Sequence, residues 1–184
     1  MHVAYSVERT YKNVGSSRQL FIDNDVIAAV KNITRRQHTP QKHNSPLIRR
    51  DRPWEGNTYF RTGCFNVIWD PEEKIYKCWY EDFYDYFGGR KGRFQRSRIH
   101  YAESEDGIEW LKPAIGKHVV DGHKNTNTVI DLSPEEAVSC MTVLLDPVEI
   151  DPSRRFKAFY AHRPNNGLCM MFSADGIDWT PYEG

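Results

Sequence analysis

No stretch of this 184-residue chain approaches the ~18 consecutive apolar residues that span a bilayer, and the opening Met1-His2-Val3-Ala4-Tyr5-Ser6 has no apolar leader core. The chain as it stands reads as soluble, without a membrane partner, and its localisation stays open. Cysteine is scarce. Cys64, Cys78, Cys140 and Cys169 form no C-x-x-C pair and no Cys/His spacing of a metal site, so neither a metal nor a cofactor is expected. All four sit in apolar, strand-like runs, which favours buried free thiols over disulfides. Neither sign of charge is in excess, with 25 Lys and Arg against 25 Asp and Glu, so no general field draws the chain to nucleic acid. Helical periodicity is missing too, the best candidate being one turn at Pro134-Glu135-Glu136-Ala137-Val138.

What the chain does have is short apolar runs rich in Val, Ile, Tyr, Phe and Trp, bounded by Pro, Gly, Asn and Asp. With 39% hydrophobic and 13% aromatic residues it has the material for a core. The runs predict an early strand at Gln19–Asp23. A first set of four follows at Cys64–Trp69, Ile75–Tyr80, Arg98–Ser104 and near Trp110. A second set lies at Met141–Leu145, Phe156–Tyr160, Leu168–Ser173 and near Trp179. The class is all-β.

Two phrases occur twice. Ser104-Glu105-Asp106-Gly107-Ile108-Glu109-Trp110 returns as Ser173-Ala174-Asp175-Gly176-Ile177-Asp178-Trp179, and Cys64 through Asp70-Pro71 returns as Cys140 through Asp146-Pro147. The offsets, 69 residues for the first pair and 76 for the second, match one four-stranded antiparallel blade with long loops. In such a meander the A–B and C–D turns share one face, and the B–C and D–A connections share the other. Asp70, Asp146, Asp106 and Asp175 fall in the tight turns, where an aspartate caps backbone N–H groups, so they are read as framework. Trp110 and Trp179 are read as plugs between sheets.

The long connections carry the candidates for chemistry. Asp51-Arg52-Pro53-Trp54-Glu55 precedes the first strand A. Glu55 and Asp131 both lie 15 residues before their Asp-Pro, which places them opposite each other if the register runs ungapped. Converging carboxylates are what glycosidic hydrolysis needs, one as acid and the other as base or nucleophile. Glu55, Asp131 and Asp51 are therefore the catalytic candidates. Trp54, Glu81, Asp82, Tyr84, Glu136 and His162 are the candidate substrate-binding residues, since the mixture of rings and carboxylates from Trp79 to Phe87 suits sugar hydroxyls and C–H faces. The basic run Arg90–Arg98 reads as a solvated loop or, on a protein-interaction reading, as a docking segment.

These phrases resemble the β-propeller glycoside hydrolases of families 32, 43, 62, 68 and 130, and in particular the family 32 N-terminal-like propellers. The likeness is carried by Leu20-Phe21-Ile22-Asp23-Asn24, Asn44-Ser45-Pro46-Leu47-Ile48 leading to Pro53-Trp54-Glu55, Ile75-Tyr76-Lys77-Cys78-Trp79-Tyr80, and His100 through Trp110. The fructan-cleaving signature Trp-Met-Asn-Asp-Pro-Asn-Gly and the Arg-Asp-Pro and Glu-Cys motifs are absent. The resemblance implies a five-bladed propeller, of which this chain supplies an N-terminal strand and entry loop (18–56), a first blade (57–113) and a second (114–184), as a fragment. It also implies an oligo- or polysaccharide substrate. The alternatives are a non-catalytic carbohydrate-binding or protein-interaction propeller, or an inactive fragment.

Overall fold

The computed structural model describes residues 12–59, 65–84, 96–132, 138–162 and 167–183. The chain divides into two units, residues 1–42 and 43–184. In the first, the expected strand at Gln19–Asp23 does not form. Asp23 turns its carboxylate onto the Asp25 N–H at 2.9 Å, and Ile27 N–H reaches the Asn24 carbonyl at 3.1 Å. These local turns divert the backbone, and Leu20, Phe21 and Ile22 are left exposed.

Residues 43–184 are all-β, with two antiparallel sheets, no α-helix among the described residues, and only a 3₁₀ turn at Pro152–Arg154. No helix among the described residues is long and apolar enough to cross a membrane. Sheet 1 is four strands wide. Its long β3 (Ile75–Tyr84) is flanked on one side by β1 (Asn57–Tyr59) and β2 (Phe65–Asp70), and on the other by β4 (Arg96–Ser104) and then β5 (Thr128–Asp131). β1 and β2 run the same way along β3, β1 opposite Glu81–Phe83 and β2 opposite Ile75–Tyr80, so they act as one interrupted inner strand. The outer strand is interrupted likewise. Leu111 bridges to Glu103, and the chain returns at β5 to pair with Arg98–His100. Sheet 1 thus takes in Thr128–Asp131, a segment expected in the second unit. Sheet 2 runs β6 (Val138–Leu145), β7 (Phe156–His162), β8 (Gly167–Ser173) and β9 (Thr180–Pro181) in sequential order.

The repeated turns are built alike. The Asp106 carboxylate accepts from Ile108 N–H at 2.7 Å and Glu109 N–H at 2.8 Å, and Asp175 does the same with Ile177 and Asp178 at 2.7 and 2.9 Å. Backbone donors hold the Asp106 carboxyl below its usual range. Each tryptophan folds back onto its glycine carbonyl, Trp110 at 3.1 Å and Trp179 at 3.0 Å.

The sheets lock where the second turn meets β3. Trp79 sits among Tyr101, Phe156 and Trp179 in the main core, donates its indole N–H to the Gly176 carbonyl at 2.6 Å, and lies beside Lys77, which caps the Asp175 carbonyl at 2.9 Å. Arg155 reaches back from sheet 2 to grip Asp70 with both terminal nitrogens, at 2.7 and 3.2 Å. Burial alone would raise the Asp70 carboxyl. The bonds from Arg155 and Lys77, with the Glu72 N–H, outweigh it and lower it to about 2. A carboxyl with a depressed folded value stabilises the fold above its unfolded value, ~4, and that stability goes as the pH falls from there through about 2. Asp70→Asn should therefore lower stability at neutral pH and flatten the acid limb of an unfolding-midpoint profile over that window. An unchanged acid limb would contradict the linkage.

The described cysteines are free thiols as expected, but their burial differs from one to the next. Cys78 is buried, and burial pushes its thiol up to about 12, which leaves it unreactive. Cys169 is half-buried and Cys140 is exposed. The reason is a bulge between Ser139 and Thr142, which sets Cys140 at φ 55° and turns it off the strand alternation. Cys64 lies outside the described residues.

Candidate functional site

The strand directions put the ends of β3 and β5, and the starts of β1 and β4, at one end of sheet 1, away from the tight turns. Cross-strand register sets Thr58 opposite Asp82, Asp82 opposite Arg98, and Arg98 opposite Asp131. Directly opposed residues share a face, so Asp82, Arg98 and Asp131 form a row across the side of sheet 1 that faces away from sheet 2. Tyr80 and His100 stand on the same side, because side chains alternate along each strand, and Thr128 joins them because a register shift between Ile99 and His100 sets it opposite His100.

Asp82 closes this row beside the entry loop. Its Oδ2 accepts from the Gly56 N–H at 2.8 Å and from His100 Nε2 at 3.2 Å, and His100 Nδ1 lies 3.0 Å from the Thr128 hydroxyl. Its Oδ1 is buried and has no hydrogen-bond partner among the described residues. The order carboxylate, imidazole, hydroxyl is that of a nucleophilic relay. Thr128, His100 and Asp82 are all fully buried, so the relay fixes the Asp82 carboxylate in place and presents no hydroxyl. A buried carboxylate oxygen without a donor costs on the order of 1–3 kcal/mol, and such a cost is carried where the group has work to do. Asp131, at the other end of the row, accepts from Arg98 Nε at 3.3 Å. The same guanidinium lies 3.6 Å from Asp121.

Glu55 has a different setting. One oxygen, Oε2, accepts from the Asp51 and Arg52 N–H groups at 2.9 and 3.0 Å. The other, Oε1, accepts from the Tyr80 hydroxyl at 2.7 Å and the Lys112 ammonium at 2.6 Å. Burial, and then the Glu55 charge, raise the Tyr80 phenol far above its usual range, so it remains a donor. Lys112 also reaches Asp51 at 2.8 Å and holds that carboxyl below the usual range. Trp54 donates to Asn127 Oδ1 at 2.8 Å, and Asn127 in turn donates to Tyr80 at 2.8 Å. Glu55 and Trp54 are thus the fastening of residues 43–56 onto sheet 1.

The structure brings Glu55, Asp51, Trp54, Asp82 and Asp131 to sheet 1, but it pairs Glu55 with Lys112 and Asp131 with Arg98. The ungapped register between Glu55 and Asp131 does not hold. Glu55 precedes the inner strand and Asp131 ends the outer one, where residues 112–126 part Leu111 from β5. Glu81 points to the opposite face, where it accepts from the Ser97 hydroxyl at 2.7 Å and the Cys140 N–H at 3.1 Å. Tyr84 closes β3 and His162 closes β7. Glu136, the candidate turn 134–137 and most of the basic run, 90–95, lie outside the described residues. Arg98, His100, Lys112, Asn127 and Thr128 were not among the expected site residues. The alternation of Arg98 and His100 with Ile99 and Tyr101 is the signal that marks them as one polar face. No group of His, Cys, Asp and Glu among the described residues is arranged to hold a metal ion.

No family model, no curated protein and no solved structure matches the chain.

Proposed function

We propose that the chain is part of a β-propeller that hydrolyses glycosidic bonds, with Asp82 and Asp131 as its paired carboxylates. The observation that carries this reading is the buried Asp82 oxygen without a donor, in the same-face row that ends at Asp131. Two strand spacings separate the residues, ~10 Å between Cα atoms. With both side chains on one face, that spacing leaves room for a water between the carboxyl groups, the arrangement that gives inversion at the anomeric carbon. Asp82 then protonates the leaving glycosidic oxygen as the C–O bond breaks. Asp131, steered by Arg98, takes a proton from the water that attacks from the other side. His100 and the Gly56 N–H hold Oδ2 of Asp82, which leaves Oδ1 to carry the proton delivered to the glycosidic oxygen.

Support for the propeller comes from the two sheets themselves, which repeat the same turn chemistry and pack one against the next. Hydrolysis of a panel of plant, algal and bacterial polysaccharides, followed by reducing-end release, tests the assignment. Asp82→Asn and Asp131→Asn should each lower turnover per folded molecule by about 10²–10⁴-fold, and Asp131→Asn, which takes a carboxylate from the buried Arg98, should also lower the unfolding midpoint. Wild-type turnover in both variants would sink it. The competing reading is a carbohydrate-binding propeller without catalysis. The ion pairs that bury Glu55 and Asp131 favour it, and it predicts glycan binding with no reducing ends released.

A further inference from the structure

The contact between the two sheets has two unlike halves, and each half recurs on the far side of the other sheet. The first half is the inner side of sheet 2, where β6 lies against β2, β3 and β4 and Phe156, Ala158, Tyr160 and Met171 of β7 and β8 join it in the core. Its Met141 and Val143 are buried in the shared core. Counting from the Asp-Pro pairs, Val67 and Trp69 of β2 stand where Val143 and Leu145 stand in β6. Yet Val67 is 48% exposed and Trp69 43%, against 5% for Val143.

The second half is the face of sheet 1 that receives β6, formed by Ile68, Lys77, Trp79 and Ile99. The repeat sets Leu144, Lys157, Phe159 and Leu168 in these places on the outer face of sheet 2. The ion pairs are copied as well. Lys77 binds Asp70 at 3.0 Å and Glu73 at 2.6 Å, and Lys157 binds Asp146 at 2.6 Å and Glu149 at 2.8 Å. Lys77 is sealed by the carbonyl it caps on the other sheet, whereas Lys157 is 18% exposed. Ile99 is buried, whereas Leu168 is 77% exposed.

We propose that these two faces fit each other, so that copies of this chain associate head to tail, β2 of one copy packing on β6, β7 and β8 of the next. The partner is a second copy because the one chain carries both halves of a contact that it already makes internally. Residues 43–56 cover the Cys78, Tyr80 and Ala102 part of sheet 1 through Ile48, and leave the β2 side chains at the edge exposed. The contact is heterologous, so it leaves one unmatched face at each end and continues beyond a dimer. This inference rests on the packing of the sheets and is independent of the hydrolase reading.

Sedimentation equilibrium over a wide concentration range tests it with the intact chain. The wild-type mass should climb past that of a dimer. Val67→Asp spoils only the first face and Leu168→Asp only the second, so each variant alone should remain monomeric. Mixed in equal amounts they should form a dimer and stop, because one good face of each kind remains. A wild-type chain that stays monomeric, or stops at a dimer, would overturn the proposal, as would a mixture that stays monomeric. Both positions are exposed, and the near-UV signal of the buried Trp79 confirms that each variant is folded.

Discussion

Gly176→Ala is expected to unfold at much lower denaturant than the wild type, with a loss of about 2–4 kcal/mol. Gly176 has φ +81°, a conformation that costs an alanine ~1 kcal/mol. An added Cβ would also lie 2.4 Å from Cζ2 of Trp79, where no real contact is found. The tryptophan cannot step aside. It is held by Tyr101, Phe156 and Trp179 and by its bond to the Gly176 carbonyl, which also receives Trp179. The same turn in sheet 1 is the internal control. Gly107 has φ +73°, but its nearest neighbour, the Tyr76 ring, is 3.7 Å from the built Cβ. Gly107→Ala should therefore lose only the conformational part, ~1 kcal/mol. Urea unfolding followed by tryptophan fluorescence separates the two, and equal losses would show that the Trp79 contact does not lock the sheets.

Glu55→Ala is expected to cost about 3–5 kcal/mol, because it takes from the buried Lys112 ammonium its buried carboxylate and leaves it the exposed Asp51 and the Arg49 carbonyl. It removes at once the acceptor of the Asp51 and Arg52 N–H groups and of the Tyr80 hydroxyl. The entry loop then loses its anchor on sheet 1, so any loss of activity in this variant should track the loss of folded protein. Lys112→Met leaves the Tyr80 hydroxyl and two N–H groups on Glu55 and should cost less. If Glu55→Ala unfolds with the wild type in an equilibrium urea titration, the carboxylate is not the fastening described above.

The framework was legible because its instructions are local. Ser-x-Asp-Gly-x-x-Trp closes its turn through bonds among seven residues, and Asp70 and Asp146 each bind a lysine on the next strand of the same hairpin. Nothing non-local is needed to read them, and β2, β3, β4, β6, β7 and β8 fall where the apolar runs lie. The segment Thr128–Asp131 was not legible. Residues 112–126 part it from Leu111, and its pairing to β4 is decided by contacts far along the chain. The same interruption misled the comparison of Glu55 with Asp131, since counting residues assumes that both strands run unbroken.

The candidate site was legible in composition and obscure in geometry. Carboxylates at the ends of strands were visible, and Asp82 and Asp131 were among those singled out. Their grouping through Arg98 and His100 depends on cross-strand register, which a single strand does not encode. Lys112 and Asn127 looked like ordinary loop residues, although their partners lie more than 45 residues away.

The most direct measurement is a time course of anomeric proton resonances as the protein acts on a set of oligosaccharides. Hydrolysis by Asp82 and Asp131 acting across a water should form the inverted anomer first. A retained anomer would contradict that pairing, and spectra unchanged with every oligosaccharide would contradict the hydrolase.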